Sequence, residues 1–300
     1  MSKKLLFVYN AKSGKARIKT YLAQIIDIFI NAGYRVETYQ TQCPMDAGKK
    51  IEADGHEFNL IVCSGGDGTL NEVVSGVMKL ENSPTIGYIP SGSTNDFGKT
   101  IGLYKNMLKS ANIAVNGTPM DIDIGQFGAD RNFVYIAAFG IFTDVSYQTS
   151  QNMKNVLGHQ AYIIEGIKSL STVRAYKMKV EYEGGTFEDE FIYGMISNSE
   201  SAGGFKGITG KDVILNDGIY EGTFIRKPKS PFELSSIVNS LLAGKNKSDA
   251  IYNFKTSKCR IMSEEPVSWV LDGEFGGMKE DVEITNLKSV VKIMTNGNAK

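Results

Sequence analysis

The fold of the first part of this chain is decided by the stretch Leu60-Ile61-Val62-Cys63-Ser64-Gly65-Gly66-Asp67-Gly68-Thr69-Leu70-Asn71-Glu72. Its first four residues are apolar and favour a buried strand, and a helical pattern follows from about Leu70 to Met78. Glycines between a strand and a helix allow backbone N–H groups to face a ligand, and a helix N-terminus favours anionic groups. The stretch therefore predicts a phosphate-binding turn in an α/β domain.

The segments around this turn alternate between strand and helix patterns. Apolar runs predict further strands at Leu5–Tyr9, Arg35–Thr41 and Thr85–Ile89. Apolar residues between Tyr21 and Ile30 recur at helical spacing, and a polar helix is predicted between the second and third strands. Strands that alternate with helices in this way indicate a parallel sheet that is covered by helices on both faces.

The pattern changes after Pro119, where apolar residues alternate with period two. This alternation predicts an antiparallel β-sandwich or barrel, with the sandwich as the expected fold, interrupted by helical stretches near 158–173 and 231–243. The alternating segments are 120–125, 133–138, 177–182, 187–196, 218–224, 258–261, 267–271 and 282–284. We therefore expect a first domain over residues 1–120 and a second, β-rich domain over residues 121–284.

Composition limits the classes of function. The 33 basic and 33 acidic residues cancel, which argues against a nucleic-acid-binding protein. The three cysteines are far apart and the chain has two histidines, which argues against a zinc site. Cysteines of this kind fit a reduced, cytoplasmic chain. No run approaches the roughly 20 apolar residues of a transmembrane helix. Any contact with a membrane is expected at its surface.

Asp67 places a carboxylate inside the glycine turn, where a purely anionic ligand would be repelled. A divalent metal between the carboxylate and a phosphate resolves this conflict. The alternative is a tight strand-to-helix turn in which Asp67 only caps the helix. The sequence has no GxxxxGKS/T loop, which excludes a P-loop NTPase, and no GxGxxG after the first strand, which weakens a dinucleotide oxidoreductase.

A second glycine turn, Pro90–Gly98, follows the strand predicted at Thr85–Ile89. Ser93, Thr94 and Asn95 offer hydrogen-bond donors there, and Asp96 offers a second carboxylate. The turn lies at the carboxyl end of a parallel strand, the edge at which open α/β sheets bind ligands. Taken alone it could be an N-capped helix start, but beside the first turn it favours a binding site.

With these two turns, the chain resembles the bacterial members of the diacylglycerol kinase catalytic-domain family, which are soluble lipid kinases related to sphingosine and ceramide kinases. Four more segments are similar to the family's motifs: Asn10–Gly14, Thr41 ahead of Asp46-Ala47, Leu157–Tyr162 with the pattern LGxxAY, and Leu271-Asp272-Gly273-Glu274. The resemblance covers the whole chain in order.

Two positions depart from the family pattern. Ala11 stands where the family commonly has proline, and Ser93 stands in a turn where many members carry glycine-threonine. Neither departure removes a charge from the expected site.

The resemblance implies a nucleotide site in a cleft between the two domains, with residues 285–300 returning to complete the first domain. It assigns ATP contacts to Asn10, Ala11, Lys12, Ser13, Gly14, Thr41, Gly65, Gly66, Asp67, Gly68, Thr69, Leu70, Asn71, Glu72 and Thr94. It also implies a structural magnesium ion that is bound by Asp217 and by the backbone carbonyls of Ile214 and Ile219. Without the resemblance, Asn216-Asp217-Gly218 would be interpreted as a hairpin turn.

Phosphoryl transfer also needs a base for the proton of the acceptor hydroxyl. Asp67 and Asp96 are candidates for a catalytic magnesium. Asp272 and Glu274 are two residues apart, hence on one face of an extended segment, and one of them should be the base or its orienting partner. Turn geometry favours Asp272, although the sequence does not decide between the two.

The predicted function is an ATP- and magnesium-dependent lipid kinase that phosphorylates the hydroxyl of a lipid such as diacylglycerol to give phosphatidic acid. An NAD kinase or a sugar kinase that shares the GGDGT turn is an alternative, and a non-catalytic nucleotide or lipid sensor is another. We expect a cytoplasmic protein that meets its lipid at the inner face of the membrane. A homodimer is left open.

Overall fold

The computed structural model describes residues 3–14, 16–140, 174–199, 201–202, 205–206, 213–242 and 248–297. The chain forms two compact units. The first contains Met1–Ile124, Ile214–Asp217 and Leu287–Lys300, and the second contains Gly125–Val213 and Gly218–Asn286. The motif Leu157–Tyr162 and the helical stretch predicted near 158–173 lie outside the described residues. A cleft between the two units stays a prediction.

The first unit is built on a parallel sheet in the order β2-β1-β3-β4. Its strands are β1 (Lys3–Tyr9), β2 (Tyr34–Gln40), β3 (Leu60–Gly65) and β4 (Thr85–Pro90). Its helices are α1 (Ile18–Asn31), α2 (Asp46–Asp54), α3 (Asp67–Val77), α4 (Asp96–Thr100) and α5 (Met107–Asn116), with a 3-10 turn at Gly55–Glu57. The predicted alternation of strands and helices is confirmed.

Helices cover both faces of β3, which explains why every residue of this strand is buried. Val62 belongs to a core cluster that includes Ile25 and Phe29 of α1 and Met107 of α5. Ile61 points the other way, since its side chain lies close to Gly55, which follows α2. A strand between two layers of helices has no polar face, and its uniformly apolar sequence follows from that position.

The second unit is antiparallel. Its elements begin with the end of β5 (Thr118–Phe127), followed by β6 (Arg131–Phe133), β7 (Ile136–Gly140), β8 (Tyr176–Tyr182), β9 (Gly185–Ser197), β10 (Ser201–Ala202), β11 (Phe205–Lys206), β12 (Tyr220–Arg226), α6 (Pro231–Leu242), β13 (Ile251–Thr256), β14 (Lys258–Leu271) and the start of β15 (Glu274–Thr295). From Leu287 onward, β15 belongs to the first unit, where Ile293 pairs in parallel with Ile86 of β4. The strand order is β13-β12-β9-β7-β14-β15, and β8 also pairs with both β9 and β14. The antiparallel pattern is confirmed, whereas a division into two stacked sheets stays a prediction.

The core of the second unit is aromatic. Trp269 of β14 is 1% exposed, and its ring centroid lies 5.0 Å from that of Phe139 and 5.2 Å from that of Phe127. Edge-on contacts of this kind add to the stability that burial of the rings already provides. The long strand β14 is thereby fixed, and with it the hairpin that connects β14 to β15.

Some boundaries differ from the sequence prediction. The first unit extends to Ile124 rather than residue 120, and the returning segment begins at Leu287 rather than residue 285. Residues 214–217, which the sequence assigned to the second domain, group with the first unit. The reason lies at Asp123, whose backbone N–H donates to the Leu215 carbonyl at 2.8 Å and whose carboxylate accepts the Ser289 N–H at 2.8 Å.

Candidate active site

The strand order places the glycine turns at a known kind of binding edge. In the order β2-β1-β3-β4, the chain adds β2 on one side of β1 and then adds β3 and β4 on the other side. The strand order therefore reverses between β1 and β3, which makes this position the switch point of the sheet. Ligands of open α/β sheets bind outside the carboxyl ends of the strands at such a switch point. The segments that follow these two strands are Asn10–Gly14, which the resemblance assigned to the nucleotide, and Gly66–Thr69, which belongs to the first glycine turn.

Three turns converge at this edge. The Asn10 N–H donates to the Ser64 carbonyl at 2.9 Å, and the Ser91 N–H donates to the Gly65 carbonyl at 2.8 Å. A Cβ on Gly92 would lie 2.6 Å from the Cα of Gly66, so only glycine allows this approach of the two turns. The structure therefore brings together residues 10–14, 65–68 and 91–95, all of which the sequence analysis singled out.

Gly14 is required by conformation as well as by contact. Its φ of +56° lies in the left-handed region, and a Cβ there would overlap the Ser91 carbonyl oxygen. Within the same turn, the Lys12 N–H donates to the Asn10 side-chain oxygen at 2.9 Å. Asn10 thus shapes the turn through its side chain, while Ala11 is buried and Lys12 is exposed.

The two residues with predicted carboxylates are joined by a hydrogen bond. Asp67 is the first residue of α3, and its Oδ2 accepts the backbone N–H of Asp96 at 3.3 Å. The side chain of Asp96 is 1% exposed, and its Oδ1 lies 2.9 Å from the ammonium nitrogen of Lys99. Sequence reasoning missed Lys99, although the spacing of three residues on a helix was the available signal.

The side chain of Asn95 holds the second glycine turn through two hydrogen bonds to the backbone of Gly92. The Gly92 N–H donates to Asn95 Oδ1 at 2.8 Å, and Asn95 Nδ2 donates to the Gly92 carbonyl at 2.7 Å. The residue has a φ of +51°, a conformation that asparagine tolerates better than most residues. A contact of Asn95 with the ligand stays a prediction, and Ser93 and Thr94 are exposed.

Glu72, which the resemblance assigned to the nucleotide, has another role in the structure. Its Oε1 accepts the Met45 N–H at 2.8 Å and its Oε2 accepts the Ala47 N–H at 3.2 Å. These N–H groups lie at the start of α2, where helical backbone donors have no partner within the helix. The carboxylate thus caps α2 and fastens it to α3, and a nucleotide contact of Glu72 stays a prediction.

The remaining assigned residues differ in exposure. Thr41 follows β2, and its N–H donates to the Tyr9 carbonyl at 3.0 Å, which places it beside the end of β1. Leu70 is fully buried and its N–H donates to the Gly66 carbonyl, so its side chain belongs to the core. Thr69 is 9% exposed and Asn71 is half-buried.

The motif Leu271–Glu274 is the tip of a hairpin in the second unit. Leu271 of β14 pairs with Glu274 of β15, and the two residues between them have φ values of +51° at Asp272 and +89° at Gly273. A two-residue loop with both φ values positive is a type I′ turn, for which Asp-Gly is a preferred pair. The premise that this segment is extended is therefore wrong, because the chain reverses between the two carboxylates.

The carboxylate of Asp272 is occupied within the protein. It is 3% exposed and accepts three backbone N–H groups, from Val134 at 2.6 Å, Tyr135 at 3.0 Å and Ile136 at 3.1 Å. Hydrogen bonds of this kind stabilise the ionised form of a carboxylate. They also interrupt the strand predicted over 133–138, since β6 ends at Phe133 and β7 begins at Ile136. Glu274, by contrast, is exposed at the start of β15.

The predicted ligands of a structural magnesium lie in an irregular segment. Gly218 has a φ of +86°, and residues 213–219 contain no strand, so the turn at Asn216-Asp217-Gly218 is not a simple hairpin within the described residues. Asp217 offers a carboxylate, and Ile214 and Ile219 offer backbone carbonyls. Oxygen donors of this kind suit Mg²⁺, which is usually bound by one or two carboxylates together with water.

A metal site made of side chains alone is not found in the described part of the chain. No group of three or more histidine, cysteine, aspartate or glutamate residues within it has the arrangement of a metal site. Among the helices of that same part, none combines the length and apolar character that a membrane span requires.

The fold and the converging turns define a class of α/β protein with a glycine-lined edge at the switch point of a parallel sheet. A family model for the diacylglycerol kinase catalytic domain matches residues 4–127. A diacylglycerol kinase of Bacillus subtilis (strain 168) is 36% identical over 279 residues, which cover 92% of this chain and 91% of that protein. One of Staphylococcus carnosus (strain TM300) is 32% identical over 302 residues, with 100% and 97% covered.

The chain belongs to the diacylglycerol kinase family, and it is therefore an enzyme of the lipid kinase class, as its motifs predict. Solved structures agree in fold. The crystal structure of a diacylglycerol kinase from Bacillus anthracis strain Sterne superposes with a TM-score of 0.77 at 22% identity, covering 100% of this chain and 99% of that chain. Another structure from the same strain has a TM-score of 0.84 at 24% identity, with 100% and 97% covered.

Proposed function

We propose that this protein transfers the terminal phosphoryl group of ATP to the free hydroxyl of diacylglycerol, giving phosphatidic acid and ADP, with Mg²⁺ as its metal. The observation that carries the proposal is the convergence of the turns at residues 10–14, 65–68 and 91–95, with Asp67 beside Asp96, at the switch point of the sheet. Backbone N–H groups for phosphate and carboxylates for a metal are the two requirements of phosphoryl transfer.

In the proposed reaction, separate residues bind the phosphates, hold the metal and accept the proton. The glycine turn Gly65–Gly68, which leads into α3, holds the phosphates through backbone N–H groups. Asp67, together with Asp96 through its Oδ2 because its Oδ1 is paired with Lys99, would hold the magnesium ion directly or through water, and the ion would neutralise charge on the phosphoryl oxygens. Glu274 accepts the proton of the acceptor hydroxyl while a bond forms between the hydroxyl oxygen and phosphorus and the bond from phosphorus to ADP breaks.

The assignment of the base to Glu274 is argued from the hydrogen bonds of its neighbour. Asp272 accepts three backbone N–H groups and is 3% exposed, so its carboxylate oxygens face the protein and leave little access for an acceptor hydroxyl. Glu274 is exposed and lies one tight turn away. Asp272 is then a positioning residue, which fixes the hairpin from which Glu274 projects.

The acceptor defines where the enzyme works. Diacylglycerol resides in membranes, so the protein is proposed to act from the cytoplasm at the inner face of the membrane. Ile214, Asp217 and Ile219 are proposed to hold a second, structural magnesium, on the strength of their oxygen donors. Assembly as a homodimer stays a prediction.

The test is transfer of labelled phosphate from ATP to a panel of diacylglycerol, sphingosine, undecaprenol and NAD. We expect label in phosphatidic acid, and we expect Asp67→Asn to lose at least about 10²-fold in rate, since a charge that organises the phosphates is removed. Asp27→Asn, on the outer side of α1, is the matched control. Label in NAD instead would establish the alternative kinase, and binding of ATP without transfer to any acceptor would establish a sensor.

A further inference from the structure

Lys99 is a cation anchored at the edge of the site by a buried carboxylate. It lies one helical turn after Asp96 in α4, and its ammonium nitrogen is 2.9 Å from Asp96 Oδ1. The Asp96 side chain is 1% exposed, whereas that of Lys99 is 43% exposed. An ammonium group has three N–H donors, so the bond to Asp96 leaves others directed to solvent. Lys99 thus places a partly exposed ammonium group just after the second glycine turn, and its bond to Asp96 restricts the position of that group.

A kinase site needs such a charge, and this chain lacks its usual source. The sequence has no GxxxxGK loop, whose lysine contacts the terminal phosphates in P-loop enzymes. In the described parts of the converging segments 10–14, 64–69 and 90–99, the basic side chains belong to Lys12 and Lys99. Of these, Lys99 is the one bonded to a carboxylate of the site, which limits the positions that its ammonium group occupies.

We propose that Lys99 binds the terminal phosphate oxygens of the nucleotide, and that Asp96 positions it for this contact. The inference rests on the proposed function and extends it, because it adds a phosphate-binding residue to the turns. Lysine serves as a point charge toward phosphate, so arginine at the same place should replace it in part. An ion pair that only stabilised α4 would leave nucleotide affinity unchanged, which makes binding the decisive measurement.

The experiment is calorimetric titration of ATP, ADP and adenosine into the full chain, each with and without Mg²⁺. The variants are Lys99→Met, which removes the charge and keeps the length, Lys99→Arg, and Lys105→Met as a control at an exposed lysine outside the pair. We expect Lys99→Met to weaken ATP and ADP by about tenfold or more and adenosine by less than about twofold. Lys99→Arg should recover most of the loss, and Lys105→Met should match the wild type.

Three outcomes would overturn the proposal. Unchanged ATP affinity in Lys99→Met, with a lower melting temperature, would make the pair purely structural. An equal loss for adenosine and ATP would mean that Lys99 shapes the turn and not the phosphate contact. A wild-type protein that bound none of the three ligands would remove the proposed function as well, a result that failure of Lys99 alone cannot produce.

Discussion

Asp272 and Ile136 hold each other through two hydrogen bonds. The Asp272 N–H donates to the Ile136 carbonyl at 3.0 Å, and the Ile136 N–H donates to the Asp272 carboxylate at 3.1 Å. The tip of one hairpin is thereby tied to the start of β7, which is distant in sequence. Because the same carboxylate also accepts from Val134 and Tyr135, the orientation of the Asp-Gly turn is fixed from outside the hairpin.

The first prediction separates the two carboxylates of this hairpin. Glu274→Gln should lower turnover by about 10²–10⁴-fold and change ATP affinity only a few-fold, since it removes a base and no phosphate contact. Glu280→Gln, also exposed on β15, is the control. Steady-state kinetics and nucleotide titration measure both quantities. Full activity in both Glu274→Gln and Asp272→Asn would mean that this hairpin is structural, and the base would then be sought at Asp96.

Asp272→Asn should affect folding more than Glu274→Gln does. An amide nitrogen cannot accept a hydrogen bond, and a buried donor left without a partner costs about 1–3 kcal/mol. We expect a lower melting temperature for Asp272→Asn in calorimetry. A melting temperature equal to that of the wild type, combined with lost turnover, would instead restore Asp272 as the base.

The second prediction concerns Glu72. Loss of a side chain that caps a helix N-terminus costs typically about 1 kcal/mol, so Glu72→Ala should unfold at lower urea concentration than the wild type. Glu81→Ala, at an exposed position beyond the end of α3, should unfold like the wild type. ATP affinity decides whether Glu72 has a second role. A large loss of affinity in a variant of unchanged stability would contradict the capping assignment.

The third prediction tests the structural magnesium. A metal that binds only the folded chain stabilises it by mass action, so the melting temperature of the wild type should rise with Mg²⁺ concentration. Asp217→Ala should abolish this rise, whereas Asp130→Ala, in the exposed turn after β5, should keep it. If the wild type and Asp217→Ala melted together across the titration, the segment would hold no metal.

The fourth prediction is a pH dependence from Glu183, in the turn between β8 and β9. Its carboxylate accepts the Ser257 N–H at 2.9 Å and the Ser257 hydroxyl at 2.8 Å, and these bonds lower its pKa from the ordinary value of 4.5. A lowered pKa in the folded state adds stability that is present above pH 4.5 and is lost as the pH falls through the folded-state value.

Urea unfolding at pH 7 and below pH 4 measures this contribution. Glu183→Gln should be less stable than the wild type at pH 7 and should approach it at the lower pH, while Glu280→Gln should follow the wild type at both. A constant difference between Glu183→Gln and the wild type across this range would show that the ionised form has no special role.

The sequence alone determined the features that depend on local pattern. The buried strand β3 has an apolar run at Leu60–Cys63 because helices cover both faces, and the glycine turns keep glycine where two backbones touch, as at Gly66 and Gly92. The sequence also identified the family, because GGDGT, Asn95-Asp96 and the late LDGE element are short local motifs in a fixed order.

Only the tertiary structure decided what each carboxylate touches. Glu72 caps a helix that begins 26 residues earlier, Asp96 is paired with Lys99, and Asp272 is enclosed by donors from Val134 to Ile136. The partners of Glu72 and Asp272 come from distant segments, so no local pattern of apolar or polar residues encodes them, whereas the pair of Asp96 and Lys99 has a local spacing that only the structure shows to be used. Burial gives them their importance, because a buried charge must be hydrogen-bonded or paired, and only the folded chain determines which group does so.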